Sequence, residues 1–193
     1  MVQEPLHVAN PEEVVKSPYS ASNRFIRALW SICYSFLYRP SPRVAHKYRV
    51  LLLRLFGGNI DWNAHPYPKC KIWLPANLTM GAYSSIADDV DCYNPAPVVV
   101  ESFAVVSQYS YLCTASHDFN DVNFTLFSKP IHIGFRAWVA ARSYIGPGVT
   151  VHEGAVVGAN SCVYKNVPAW MIVSGNPARP MGTRTPGDSP KQP

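Results

Sequence analysis

Apolar residues recur at every sixth position through the second half of the chain. From residue 133 onward the series comprises Ile133, Val139, Ile145, Val151, Val157 and Val163. Four positions after each member stands a small or β-branched residue, namely Ala137, Ser143, Val149, Ala155, Ser161 and Val167. The same rhythm passes earlier through Val100, Val106 and Leu112 and, more weakly and with a two-residue slip, through Ile72, Leu78 and Ile86.

A period of six matches neither the 3.6-residue period of an amphipathic helix nor the two-residue alternation of a single strand. It is typical of a parallel β-helix, in which each six-residue segment forms one flat face and three faces complete a coil. We therefore predict a mainly β fold in which long apolar side chains point inward. Each should stack on its equivalent one coil later, so that Ile133 lies against Val151. The small partners belong at the corners, where space is short.

The rhythm breaks once, after Leu112. The next inward residue is expected at position 118, but the pattern resumes at Ile133, which indicates an insertion over residues 118–132. Long excursions within a strict repeat are usually functional. His117 is the last residue before the insertion, with Asp118 and Asp121 close by in sequence as candidates to orient it. Its position alone is compatible with a solvated surface histidine or with a general base.

The first third of the chain has a helical pattern instead. Ser22 is a candidate cap for a helix whose apolar residues extend to Leu37, and a second helix is expected from Arg43 to Phe56. Both helices are expected to pack on one end of the β-helix and cover its open edge. The predicted organisation is a flexible tail over 1–19, a helical segment over 20–58, the β-helix domain over 59–180 and a disordered tail over 181–193.

Charge is distributed unevenly along the 193 residues. The chain has 17 basic and 12 acidic residues, and its net charge of +5 divides into −3 over residues 1–15, +9 over 16–71 and −1 over 72–193. No nucleic-acid-binding motif accompanies the basic segment. Its bases stand beside apolar residues, so residues 24–54 are a candidate contact with an anionic membrane. The alternative is an apolar face packed on the β-helix with solvated bases.

Cysteine and histidine spacing argues against a metal site. The five cysteines form no C-x-x-C pair and no two histidines have ligand spacing, so we expect no metal. Free thiols are typical of a reducing compartment, and the acidic start has no apolar segment of the secretory type. We expect a cytoplasmic protein, with the inner face of the membrane as the place for any lipid contact.

Several runs of the sequence carry a family resemblance that spans roughly residues 20–181. These runs are RPSPR (39–43), LLLRLFGG (51–58), DDVDCYN (88–94), VVSQYSYLCTASHDF (105–119), AWVAA (137–141), GPGVTVHEGAVVGANSCV (146–163) and SGNPARP (174–180). On them the chain resembles the hexapeptide-repeat acyltransferases, whose fold is a left-handed parallel β-helix. Within that superfamily it resembles the O-acetyltransferases of the colanic-acid-biosynthesis type.

The resemblance implies a homotrimer that transfers an acetyl group from acetyl-CoA to a hydroxyl, with active sites between neighbouring β-helices. It implies that His117 is the catalytic base. Carried over by motif, the coenzyme contacts are Ala141, Ala159, Tyr164, Lys165 and Arg179, with Trp138 at the thioester end. Related enzymes often have a small residue or threonine where Tyr164 stands, so this side chain departs from the pattern.

Asp88, Asp89 and Asn94 are candidate contacts for a sugar acceptor, because they precede His117 by one coil and their oxygens and amides suit sugar hydroxyls. The alternative for them is a structural role at corners. The expected acceptor is a sugar of an exopolysaccharide or its lipid-linked precursor. Other activities compatible with the fold are a serine or xenobiotic O-acetyltransferase, a zinc enzyme of the carbonic-anhydrase type and a non-catalytic scaffold.

Overall fold

Short strands stack into three mainly parallel sheets around one core in the computed structural model, which describes residues 20–185. Numbered in chain order, the first face contains β1 (Asn59–Ile60), β4 (Leu78–Met80), β7 (Val98–Val100), β12 (Ile131–Ile133) and β15 (Thr150–Val151). The second contains β2 (His65–Pro66), β5 (Ser85–Ile86), β8 (Val105–Val106), β13 (Trp138–Val139), β16 (Val156–Val157), β18 (Met171–Gly175) and β19 (Ala178–Thr183). The third contains β3 (Lys71–Ile72), β6 (Asp91–Tyr93), β9 (Tyr111–Cys113), β14 (Tyr144–Ile145) and β17 (Cys162–Val163).

The strand register confirms the predicted β-helix. Ile133 pairs with Val151 on the first face, and the second and third faces show the same one-coil spacing. The inward residues of all three faces are almost completely buried and form one continuous core. Small side chains such as Ala137 and Ala155 are fully buried at corners where the chain turns, as expected. Val167 was also predicted at a corner, but it pairs with Val151 on the first face because the last coil is two residues shorter.

The early coils are two residues longer than the late ones, which accounts for the slip in the sequence pattern. Ile60, Met80 and Val100 are in register, so the first coils repeat every 20 residues. The extra residues lie at the corner between the third and first faces, where a 3-10 turn at Pro75–Asn77 widens the first coil.

Two helices precede the first coil. α1 (Ala21–Cys33) continues through a π-helical turn at Tyr34–Tyr38, and α2 spans His46–Leu55. Ser20, not the predicted Ser22, caps α1, because its extended backbone lets the hydroxyl accept from the Asn23 N–H at 3.1 Å. α2 begins after the expected Arg43, since the preceding turn extends to Ala45, whose N–H donates to the Pro42 carbonyl.

The helices supply hydrogen-bond donors to the open edge of the first coil. In a parallel sheet the N–H and C=O of one residue point to the same side, so the inward residues of β1, β2 and β3 direct their carbonyls away from the second coil. Each carbonyl receives one side-chain donor from the helical segment. Arg54 Nη1 donates to Ile60, Arg49 Nε to Pro66 and Trp30 Nε1 to Ile72, all at 2.7 Å. This edge is therefore closed by hydrogen bonds as well as by apolar packing.

The excursion forms a β-hairpin with different limits from those expected. Its antiparallel strands are β10 (Ala115–His117) and β11 (Leu126–Ser128), and Ile131 is already buried beside Val98. The chain thus leaves the coil three residues earlier than 118 and has returned by residue 131. At the other end, β19 extends to Thr183, past the expected limit of the domain at 180. The predicted tail over 1–19, and residues 186–193 of the other, lie outside the described residues.

Candidate active site

The hairpin that carries His117 leaves the coil at the corner between the third and first faces. Thr114 anchors the start of the hairpin, because the Thr114 hydroxyl accepts from the Ala96 N–H at 3.0 Å and donates to the Tyr93 carbonyl at 3.2 Å. The Lys129 N–H closes the other side on the Thr114 carbonyl at 2.8 Å. The hairpin is therefore anchored to the preceding coil, and the exposed His117 side chain projects from it.

A single hydrogen bond determines which nitrogen of His117 can act. Its Nδ1 lies 2.6 Å from the carbonyl oxygen of Phe124, and the imidazole stacks on the Phe124 ring at a centroid distance of 4.6 Å. A carbonyl oxygen only accepts hydrogen bonds, so Nδ1 carries the proton in the neutral ring. The lone pair of the neutral imidazole is consequently on Nε2, which is the arrangement required of a general base.

Neither predicted carboxylate orients His117. Asp118 accepts from the Asn120 N–H at 3.0 Å, and Asp121 accepts from the Asn123 N–H at 3.0 Å and from the Thr125 hydroxyl. The hydrogen bond from the Thr125 hydroxyl is the main cause that lowers the pKa of Asp121, and the bond from the Asn123 N–H adds to it. The carboxylates shape the hairpin turn and so position the carbonyl that holds the imidazole. Sequence reasoning missed this role because a backbone acceptor has no residue-type signal.

Three of the predicted coenzyme residues come together in one groove. Tyr164 and Lys165 follow β17, Arg179 lies on β19, and with Pro168 and Ala178 they line a groove of about 270 Å³. Lys165 and Arg179 are exposed, and cations in this position suit phosphate groups. The groove lies at the same corner as the hairpin, two strands further along the third face. At about 4.8 Å per strand this places the backbones about 10 Å apart.

The other predicted coenzyme residues lie away from that corner. Ala141 and Ala159 occupy the turn between the second and third faces in successive coils, where the Asn160 N–H donates to the Ala141 carbonyl at 3.0 Å. Trp138 is exposed on the second face, and its indole N–H donates to the Ser107 hydroxyl at 2.9 Å. Within one chain these residues and His117 therefore do not share a corner.

The acceptor candidates separate into two kinds. Asp88 and Asp89 lie at the corner between the second and third faces, where Asp88 accepts from the Lys69 N–H at 3.0 Å. Asn94 is fully buried, and its amide exchanges two hydrogen bonds with the Leu74 backbone at 3.0 and 2.9 Å. The prediction that Asn94 contacts the acceptor is wrong, because both ends of its side chain are used inside the corner.

Comparison with known proteins assigns the chain to a family. Residues 130–165 match the family described as bacterial transferase hexapeptide (six repeats). Over 164 residues the chain is 40% identical to WcaF of Escherichia coli (strain K12), a protein assigned by name to colanic acid biosynthesis as an acetyltransferase. That match covers 85% of this chain and 90% of the relative. The chain belongs to the hexapeptide-repeat acetyltransferases.

Solved structures of hexapeptide-repeat acetyltransferases share the architecture. One from Vibrio cholerae has a TM-score of 0.78 at 25% identity, covering 91% of this chain and 99% of its own. The same protein in complex with acetyl coenzyme A gives a TM-score of 0.77 at 22% identity, covering 88% and 93%. A maltose O-acetyltransferase from Clostridium difficile 630 gives 0.76 at 20% identity, covering 86% and 90%.

Another histidine of this acetyltransferase, His132, has a carboxylate partner and a structural position. Across residues 20–185, no three His, Cys, Asp or Glu side chains lie close enough together to hold a metal ion. His132 Nε2 lies 2.7 Å from Glu101, whose second oxygen accepts from the Phe135 N–H at 2.7 Å. That pair secures the corner after β12, whereas the imidazole of His117 is held by a backbone carbonyl at the edge of the excursion.

Proposed function

We propose that this acetyltransferase transfers an acetyl group from acetyl-CoA to a hydroxyl of a sugar in exopolysaccharide or glycan biosynthesis. The observation that carries the proposal is the His117–Phe124 hydrogen bond, which in the neutral imidazole places the lone pair on Nε2, at the corner of the Lys165–Arg179 groove. The kinship with WcaF and with a maltose O-acetyltransferase supports a sugar hydroxyl over other acceptors.

His117 acts as the general base in the proposed reaction. Its Nε2 removes the proton of the acceptor hydroxyl while that oxygen forms a bond to the acetyl carbon of the thioester. The bond between the acetyl carbon and sulfur then breaks, and His117 returns the proton to the departing sulfur. The products are the O-acetylated sugar and the free thiol, so no protein nucleophile is needed and Cys113 stays buried in the core.

The residues present fit the coenzyme as donor. Lys165 and Arg179 present two cations on one open groove, where they can pair with phosphates. The stacked Ala141 and Ala159 provide a side-chain-poor edge for an extended chain. Because these alanines and His117 lie at different corners, a site that uses all of them requires the corner of a neighbouring copy. This geometry supports a homotrimer with sites between subunits, as the family resemblance implies.

The test is the release of free thiol from acetyl-CoA in the presence of a panel of sugars, with serine and a xenobiotic as comparison acceptors. His117→Ala should lower kcat by roughly 10²–10⁴-fold while leaving the affinity for acetyl-CoA unchanged. His152→Ala is the matched control, since His152 is also exposed but lies on the regular coil. Full activity in His117→Ala would show that the base is misassigned.

The donor site has its own test. Replacing Lys165 and Arg179 together by Gln should raise the KM for acetyl-CoA by about tenfold or more with little change in kcat, because the contacts are made equally before and during reaction. Wild-type protein that shows no thermal stabilisation by acetyl-CoA would overturn the proposed donor. A preference for serine or a xenobiotic over every sugar would overturn the proposed acceptor.

A further inference from the structure

α1 presents an apolar stripe to solvent on the side opposite the core. Phe25, Leu29 and Ile32 lie on α1, and Phe36 lies on the π-helical turn that continues it. They follow one another at spacings of four, three and four, which places them on one side. Phe25 is 65% exposed and Phe36 is 74% exposed, whereas Trp30 on the packed side is buried. These four residues, the α1 stripe, are not explained by packing within the chain.

α2 carries a second stripe with the same character. Tyr48, Leu51 and Leu55 repeat at helical spacing, Val44 precedes them by one turn, and Leu55 is 71% exposed. This α2 stripe meets the α1 stripe at one point, because Leu29 and Leu55 line the same groove of about 600 Å³, which Leu74 and Ala76 of the first coil also line. The two stripes therefore form one apolar surface at the end of the β-helix, of the kind that marks an interaction site.

The helical segment itself carries charge of one sign. Residues 20–58 contain seven basic residues and no acidic one: Arg24, Arg27, Arg39, Arg43, Lys47, Arg49 and Arg54. Only Arg49 is fully buried. Arg24 and Lys47 directly precede stripe residues and are turned by about 100° around their helices, so they border the apolar surface.

We propose that this helical cap binds the surface of an anionic lipid bilayer, with the two stripes at the boundary between headgroups and acyl chains and the bases among the headgroups. Apolar stripes bordered by bases are the requirement for such interfacial binding. A second copy is a poorer occupant, because residues 20–58 contain no acidic residue to face the bases of the other copy. Within residues 20–185 no helix has the length and hydropathy to span a bilayer.

The inference goes beyond the proposed acetyl transfer and does not depend on it, since lipid binding is measured without acetyl-CoA or acceptor. The full-length protein is sedimented with vesicles of phosphatidylcholine alone or with about one third phosphatidylglycerol. Binding is expected only to the anionic vesicles at about 0.05 M salt and should fall at about 0.5 M salt, where charges are screened. Absence of binding to anionic vesicles at low salt overturns the proposal.

Two pairs of substitutions separate the apolar and the charged contributions. Phe25→Ser with Phe36→Ser should weaken partitioning by at least tenfold. Arg24→Gln with Lys47→Gln should weaken it by roughly 25-fold, at about fivefold for each base. The control for the charged pair is Arg142→Gln with Arg136→Gln. The control for the apolar pair is Met181→Ser, because Met181 is 70% exposed and lies at the opposite end of the molecule.

The controls should bind like wild type. Binding that falls equally in the stripe variant and in Met181→Ser would overturn the assignment to this surface. Sedimentation equilibrium, which measures the oligomeric state, tests whether a second copy of the chain covers this surface instead of a bilayer. If the phenylalanine variant changes the oligomeric state and vesicle binding is absent in wild type, the surface is an interface between copies and the lipid proposal is wrong.

Discussion

Removing one donor from the capped edge of the β-helix should cost a large fraction of its stability. The indole N–H of Trp30 is buried and donates to the Ile72 carbonyl at 2.7 Å. In Trp30→Phe this carbonyl keeps its position at the edge of β3 but loses its partner, which costs about 1–3 kcal/mol. The smaller ring also leaves space beside Tyr38 and Phe56, whose ring centroids lie 5.6 and 5.1 Å away, adding about 1 kcal/mol.

The expected loss is therefore about 2–4 kcal/mol, or about 5–15 °C in Tm. Trp138→Phe is the matched control, because it also deletes an indole hydrogen bond but at a side chain that is 45% exposed. Water replaces that bond, so the control should lose less than about 0.5 kcal/mol. Urea unfolding followed by circular dichroism at one protein concentration measures both. Equal losses in the two variants would refute the argument that the buried carbonyl depends on this donor.

Three further predictions test other parts of the chain. Gly154→Ala should destabilise by about 1–3 kcal/mol in thermal unfolding, because Gly154 has φ +64° and a Cβ there would lie 2.5 Å from the Trp170 ring; an unchanged Tm would contradict this. Burial lowers the pKa of His46 below its usual value, so the unfolded chain binds the proton more readily and stability should fall as pH falls below about 6.5. In urea titrations at several pH values, His46→Gln should flatten this dependence of the free energy of unfolding on pH. Burial raises the pKa of Cys70 to about 12, which disfavours the reactive thiolate. In native protein a disulfide reagent should therefore modify the half-buried Cys162 before the buried cysteines, and Cys162→Ser should abolish the fast phase of thiol modification.

The regular part of the fold was predictable because its repeat obeys one physical rule. From Ile133 to Val163 each inward residue pairs with its equivalent 18 positions later, so inward positions and stacking partners follow from counting. The last coil is two residues shorter, since Val167 pairs with Val151 and Val173 with Val157. The first coils were harder, since their two extra residues displace the period without changing residue types. Leu78 and Met80 are both buried on one strand, which obscures which of them belongs to the series.

The candidate site was predictable only where side chains carry the function. The imidazole of His117 stood out at the break in the repeat, but the group that orients it is the Phe124 carbonyl, which any residue could supply. The error at Asn94 has a related cause. An amide that closes a buried corner on the Leu74 backbone has the same residue type as an amide that binds a sugar, and burial alone separates the two roles.

The start of the β-helix does have a sequence signal, and it lies at Pro66. The residue at an inward position directs its N–H and C=O to the preceding coil. Proline at such a position would therefore remove a ladder hydrogen bond from any interior coil. In the first coil that N–H would face no strand, and proline removes a donor that would otherwise be left unpaired. Its carbonyl still needs a partner, which the buried guanidinium of Arg49 provides at 2.7 Å. A proline at an inward position and a basic residue in the preceding helix therefore indicate together where the coils begin.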